Sequence, residues 1–87
     1  NERKEIEIDL IGTSRQQALF VECKWKEKVD AEEILRQLKE KAEFVNWQKG
    51  RREEHFCLIA KSFSRPITGK NILLFDKKEL QKELFTN

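Results

Sequence analysis

The chain has 87 residues, of which 39% are charged and 38% hydrophobic, and its formal net charge is +2. This length favours a single domain with one modest core, and so small a net charge gives no argument for nucleic-acid binding. No apolar run approaches the roughly 20 residues that span a membrane, and the opening NERKE does not resemble a signal peptide. We therefore predict a cytoplasmic protein without membrane contact. Because no initiator Met is present, we expect a piece of a longer protein.

The first two predicted elements are strands joined by a tight turn. Residues 5–12 alternate apolar and acidic side chains, and residues 18–26 alternate as well, which is typical of half-buried strands. The short connection favours an antiparallel hairpin. If the turn is centred near residues 15 and 16, Asp9 faces Glu22.

A helix is predicted next, over residues 31–48. Asp30 can cap its start, and Glu33 stands three residues further on, as in a capping box. Gly50 is a stop signal just beyond its end. The apolar positions recur at helical spacing and predict this buried stripe: Ala31, Ile34, Leu35, Leu38, Ala42 and Val45.

The remaining elements complete an alternating α/β pattern. Residues 55–62 and 71–76 predict two further strands, separated by a loop that contains Pro66. A closing helix is predicted over residues 77–85, with Leu80 and Leu84 facing inward. The order β-β-α-β-β-α indicates an α/β domain with a mixed sheet and flanking helices.

The predicted hairpin creates an unusual row of charges. Two carboxylates placed opposite each other, Asp9 and Glu22, would destabilise an antiparallel pair unless something compensates them. Mg²⁺ would do so, because it prefers oxygen ligands and is often held by one or two carboxylates plus water. Lys24 projects from the same strand face and could act on a metal-bound water or a phosphate. The alternative is a solvated charged face, held by Lys24 and Lys26.

The two cysteines, Cys23 and Cys57, do not predict a metal site. They lack the C-x-x-C spacing, and the chain has one histidine, so zinc is not expected. Two buried free thiols in a reducing compartment are the expected state. A disulfide stays open if their strands are neighbours.

Asp9, then Glu22-Cys23-Lys24, followed by an amphipathic helix, resembles the PD-(D/E)XK nuclease superfamily, which has the restriction-endonuclease-like fold. The resemblance implies that Asp9 and Glu22 bind Mg²⁺ or Mn²⁺, that the Cys23 carbonyl is a further metal ligand, and that Lys24 assists catalysis. Some branches carry a Gln on the following helix, and Gln37 stands in a comparable place.

A narrower resemblance covers nearly the whole chain. The stretches EIDLI (7–11), ECKWK (22–26) and KSF (61–63) are similar to C-terminal domains of prokaryotic, chiefly archaeal, AAA-type ATPases. This implies that residues 1–87 form a single nuclease-like domain at the C-terminal end of a larger ATPase. The chain contains no Gly-rich phosphate loop, so ATP would bind only in a domain outside it.

The chain departs from the superfamily pattern at its start. A helix and one further strand normally precede the Asp-bearing strand, whereas only NERK precedes residue 5. We therefore expect the upstream helix and strand to be absent. The exposed sheet edge left by a missing strand invites pairing with another copy, which would give a homo-oligomer.

Three functions follow as hypotheses. The first is a metal-dependent DNA nuclease. The second is a catalytically silent module that contacts DNA or regulates an ATPase. Its phosphate contacts would come from these basic residues: Lys24, Lys26, Lys28, Arg51 and Arg52. For Arg51 and Arg52, beside two glutamates, a solvated turn is the favoured interpretation. The third is an interaction domain that uses Trp25, Phe44, Trp47 and Phe63, although core packing is expected of such aromatics.

Overall fold

The computed structural model describes residues 8–85, and their side chains as far as residue 83. Four strands form one mixed sheet in the order β1-β2-β3-β4; β1 is antiparallel to β2, and β2, β3 and β4 are parallel. The predicted β-β-α-β-β-α order is confirmed, and it is compatible with a small α/β nuclease-like fold. The elements are β1 (Leu10–Ser14), β2 (Gln17–Lys24), α1 (Ala31–Ala42), β3 (Glu53–Ala60), β4 (Ile72–Phe75) and α2 (Lys77–Phe85).

The hairpin has the predicted register. Ser14 pairs with Gln17 and Leu10 pairs with Val21, so the turn falls on residues 15 and 16. Continued one residue beyond the last pair, this register places Asp9 across from Glu22. Strand β1 extends further towards the turn than the predicted residues 5–12 and, among the described residues, begins later; positions 5–7 lie outside the part that the structure describes.

Helix α1 connects two adjacent parallel strands and covers one face of the sheet. The largest fully buried side chains are Phe20 on β2, Leu38 on α1 and Leu58 on β3, so the core lies between the helix and these strands. The Asp30 carboxylate accepts a hydrogen bond of 3.2 Å from the backbone N–H of Glu33, which confirms the predicted cap.

Helix α1 ends at Ala42, six residues before the predicted end at 48. The cause is Arg52, whose side chain is only 1% exposed. Its guanidinium donates hydrogen bonds to the carbonyl oxygens of Ala42, Val45 and Trp47, at 2.8, 2.6 and 2.7 Å. These bonds satisfy carbonyls that a longer helix would use internally, and the chain turns instead. The prediction of a solvated turn was therefore wrong for Arg52.

The last elements differ little from prediction. Strand β3 runs over Glu53–Ala60 instead of 55–62, and β4 is shorter by one residue at each end. Strand β2 ends at Lys24, two residues before the predicted end. The bounds of α2 agree with the prediction, and Asp76 accepts from the Glu79 N–H at 2.8 Å, as a cap should. Leu80 is half-buried, while the Leu84 side chain lies outside the description. No helix within residues 8–85 is long and apolar enough to cross a membrane.

Candidate functional site

Glu22 is a buried carboxylate on the face of the sheet that α1 covers. It follows Ala18 and Phe20 on that face of β2, and its side chain is 8% exposed. Glu22 Oε1 lies 3.2 Å from Lys41 Nζ, and Glu22 Oε2 lies 3.8 Å from Lys24 Nζ. Glu22 is therefore not solvated, contrary to the alternative of a charged face, although its pairing with Lys24 agrees with that alternative. A buried charge is costly unless it is paired, and the two ammonium groups pair this one.

Asp9 is exposed and lies just before β1. Its Oδ2 accepts a hydrogen bond of 2.7 Å from the backbone N–H of Cys23, so its carboxylate is fixed to β2 one residue from Glu22. A charged acceptor bonded to a backbone N–H is one of the stronger hydrogen bonds in proteins. The structure therefore brings Asp9 to the backbone of β2 beside Glu22, and Lys24 to the Glu22 carboxylate. Their catalytic and metal-binding roles stay predictions.

The oxygen atoms at this site suit a hard cation. Asp9 and Glu22 supply carboxylates and Cys23 a carbonyl, which are ligands that Mg²⁺ and Mn²⁺ accept. No group of three or more His, Cys, Asp or Glu side chains that could hold a metal occurs among the described residues. A metal here would consequently have two carboxylate ligands and the Cys23 carbonyl, with water completing its coordination. That is an ordinary arrangement for Mg²⁺.

The helix residue at the site is Lys41, which was not predicted from the sequence. Gln37 is exposed on α1, and its side chain has no hydrogen bond to Asp9 or Glu22 within the described part of the chain. Lys41 adjoins the buried stripe of α1, three residues after Leu38. It lies between the buried and the exposed face of α1. From there the methylene groups of a lysine can pack on apolar residues while its ammonium group reaches the sheet. A charged residue beside the apolar stripe of the helix is the sequence signal that would have identified Lys41.

Two further predicted phosphate ligands, Lys26 and Lys28, are exposed in the loop after β2. The Lys28 N–H donates to Ser62 Oγ at 2.7 Å, and the Lys26 carbonyl accepts from the Lys61 N–H at 3.1 Å. The loop is thus bonded to the segment after β3. Both lysine side chains lie at the edge of the sheet where the parallel strands end, and contact with phosphate stays a prediction.

The two cysteines are free and occupy neighbouring strands. Cys57 is buried, as predicted, and burial raises the pKa of its thiol. Cys23 is exposed, which corrects the prediction of two buried thiols. The register pairs Cys23 with Ile59 and Cys57 with Val21, so the two cysteines are not directly opposed.

The four aromatic residues of the third hypothesis divide into two pairs. Trp47 and Phe63 pack against the core, as expected. Trp25 and Phe44 are exposed instead, so the expectation of core packing was wrong for them. Trp25 follows the last residue of β2, whereas Phe44 follows the end of α1.

Residues 2–34 match the model of a family, DUF234, described as "Archaea bacterial proteins of unknown function". The matched segment contains Asp9, Glu22 and Lys24 and ends within α1. No curated protein and no solved structure matches the chain. Over its hairpin and the start of α1, the chain is therefore similar to archaeal and bacterial proteins. Membership of the nuclease superfamily stays a prediction.

Proposed function

We propose that the chain is a metal-dependent deoxyribonuclease domain that hydrolyses phosphodiester bonds. The observation that carries this proposal is the buried carboxylate of Glu22, with Lys24 3.8 Å away and Asp9 held at the neighbouring backbone. A buried acid beside an exposed acid and a partly exposed lysine is a costly arrangement for stability alone, because the buried charge must be desolvated and paired.

Asp9 and Glu22, with the Cys23 carbonyl, would hold Mg²⁺ or Mn²⁺. The bound ion would supply charge stabilisation for a phosphate oxygen and a water of lowered pKa. The residues of the chain have separate tasks. The two carboxylates bind and orient, while Lys24, whose side chain is 43% exposed, is free to turn from Glu22 towards a phosphate. Its ammonium would stabilise negative charge that develops during hydrolysis.

In this proposal the domain works in the cytoplasm as the C-terminal part of an AAA-type ATPase, with ATP bound elsewhere in that protein. Residues 2–34 are similar to archaeal and bacterial proteins, which agrees with the prokaryotic origin of such ATPases and does not bear on the rest of this setting. Strand β1 is an edge of the described sheet and exposes Leu10 and Ile11. Pairing of two copies along this edge therefore stays part of the proposal.

The test is cleavage of supercoiled plasmid and of single-stranded DNA in Mg²⁺ or Mn²⁺. We expect cleavage that requires the metal and is lost in Glu22→Gln, which removes the charge and keeps the size of the buried side chain. The matched control is Glu32→Gln, the same change at an exposed residue of α1. Circular dichroism establishes that each variant is folded. Metal-independent cleavage, or full activity in folded Glu22→Gln, would contradict the proposal.

A second candidate, a catalytically silent nuclease-like module, is favoured by a separate observation. The Glu22 carboxylate has an ammonium near each oxygen, and Asp9 already accepts from a backbone N–H. The site charges are thus compensated by the chain itself. A folded wild-type protein that binds DNA at low salt, yet cleaves neither substrate with either metal, would establish this second function.

A further inference from the structure

The ends of the three parallel strands bring three lysines together. Strands β2, β3 and β4 run in the same direction, so the segments that follow them meet at one edge of the sheet. The Lys61 N–H donates to the Lys26 carbonyl at 3.1 Å, and the Lys77 N–H donates to the Lys61 carbonyl at 3.1 Å. Lys26, Lys61 and Lys77 therefore stand side by side, each one backbone hydrogen bond from the next. We call these three residues the lysine row.

The lysine row lies at a basic edge of the sheet. Within the described part of the chain, none of its three members forms an ion pair, and Lys26 and Lys77 are exposed. Of the nearby acids, Asp30 and Asp76 cap helices, and Glu27 accepts a hydrogen bond of 3.0 Å from the Ser62 hydroxyl. The segments 24–30, 61–65 and 76–79 together carry seven basic and four acidic side chains. This edge is thus basic, although the chain as a whole is close to neutral.

An exposed tryptophan adjoins the row. The Lys26 N–H donates to the Lys24 carbonyl at 2.7 Å, which closes a three-residue turn centred on Trp25. Strand β2 ends at this turn, and the Trp25 side chain is 48% exposed. A large aromatic ring left in water between two lysines is an unusual use of an apolar residue. It provides a flat surface on which a base can stack.

We propose that Trp25 and the lysine row form a binding surface for single-stranded DNA. The lysines contact successive phosphates, and Trp25 stacks on an unpaired base. Duplex DNA cannot use the ring in this way, because its bases are already stacked on one another and present only their edges. The inference rests on the proposed function, since it names the substrate class of the same site: the turn at Trp25 directly follows Lys24.

Binding can be measured without cleavage. The probe is a fluorescently labelled oligothymidine of about 20 nucleotides, titrated with the full chain in EDTA and low salt, and followed by anisotropy. We expect Trp25→Ala to weaken binding about tenfold, as removal of one stacked base does. Phe44→Ala, which removes a comparably exposed aromatic beyond α1, is the matched control and should bind as the wild type does. A duplex of the same length should bind more weakly and be insensitive to Trp25→Ala.

The charges are tested by a pair of double variants with equal change in net charge. Three phosphate contacts to a single strand predict a slope of about −2 for log K against log salt concentration. Lys26→Gln/Lys61→Gln should reduce that slope by about 1.4. The control Lys49→Gln/Lys70→Gln, in the segments that precede β3 and β4, should leave it unchanged.

Equal effects of the two double variants, or wild-type binding by folded Trp25→Ala, would overturn the inference. Tighter binding of the duplex would overturn it as well. The nuclease proposal fails separately. If Glu22→Gln binds the oligonucleotide as the wild type does while the wild type cleaves nothing, the binding surface stands and the nuclease does not.

Discussion

Arg52 and Glu22 are two charged side chains buried on the helix-covered face of the sheet, and they are held in different ways. The Arg52 guanidinium lies 5.2 Å from the centre of the Phe20 ring, contacts Glu54 and donates to three backbone carbonyls. Glu22 has two partners, and both are lysine ammonium groups whose side chains are partly exposed. Arg52 is thus bonded mainly to fixed backbone atoms, whereas Glu22 is paired with the ends of flexible chains.

This difference favours a structural role for Arg52 and is compatible with the chemical role that we propose for Glu22. Displacing Arg52 would break the turns that end α1, because its acceptors are the carbonyls of those turns. Displacing Lys24 or Lys41 from Glu22 breaks no backbone hydrogen bond, because both contacts join side-chain atoms of partly exposed lysines to the carboxylate. A buried anion whose counter-ions can move can be offered to another cation. The contacts of Arg52 thus favour a structural role, whereas those of Glu22 support the site that we propose.

The largest expected effect is the loss of stability in Arg52→Met. The change removes the donor to the Val45 and Trp47 carbonyls, one of the two donors to the Ala42 carbonyl, and the partner of Glu54, so we expect the free energy of unfolding to fall by about 3–5 kcal/mol. Urea denaturation measures it. Arg51→Met, at the exposed neighbour, should change it by less than about 0.5 kcal/mol. Equal losses in the two variants would show that Arg52 does not close the helix end.

A smaller loss of stability is expected for Lys41→Met. The side chain of Lys41 is 29% exposed, and Lys24 still faces Glu22 in the variant, so the loss should be about 1–2 kcal/mol. Lys49→Met removes an exposed pair with Glu43 and should cost less than 1 kcal/mol. If Lys41→Met were as damaging as Arg52→Met, Glu22 would be a structural charge too, and the comparison would fail.

The smallest effect is kinetic and leaves stability unchanged. Cys23, next to Glu22, is exposed, whereas burial of Cys57 raises the pKa of its thiol and lowers the thiolate fraction at pH 8. An aromatic disulfide reagent should modify one thiol quickly and the second only as the protein unfolds. Cys57→Ala should keep the fast reaction, and Cys23→Ala should abolish it. Fast modification of both thiols in the wild type would show that the reagent reaches Cys57 in the folded protein.

Local patterns were enough to predict the hairpin and the element order. The turn at residues 15 and 16 fixes the register, and that register determines which residue faces Glu22. The helix caps at Asp30 and Asp76 could also be predicted, since each uses a carboxylate and a backbone N–H three residues away. These features depend on neighbours in the chain, and such neighbours are visible in a sequence.

Contacts between residues that are far apart in the chain could not be predicted from the sequence. Val45 continues the apolar spacing of α1, so the apolar pattern did not indicate that the helix stops at Ala42. The stop depends on Arg52, which stands in a charged run and was expected to be solvated. Gln37 was likewise chosen from a resemblance, whereas packing brings Lys41 to Glu22. In each case a long basic side chain contacts residues that are brought close to it only by folding.

The most direct test of the account is a calorimetric titration of Mn²⁺ into the folded chain, because every role proposed for Glu22 begins with a bound cation. The account predicts one Mn²⁺ per chain, with binding lost in Glu22→Gln and in Asp9→Asn and kept in Glu32→Gln. A wild-type chain that binds no Mn²⁺, or a folded Glu22→Gln that binds it as the wild type does, would contradict the central claim.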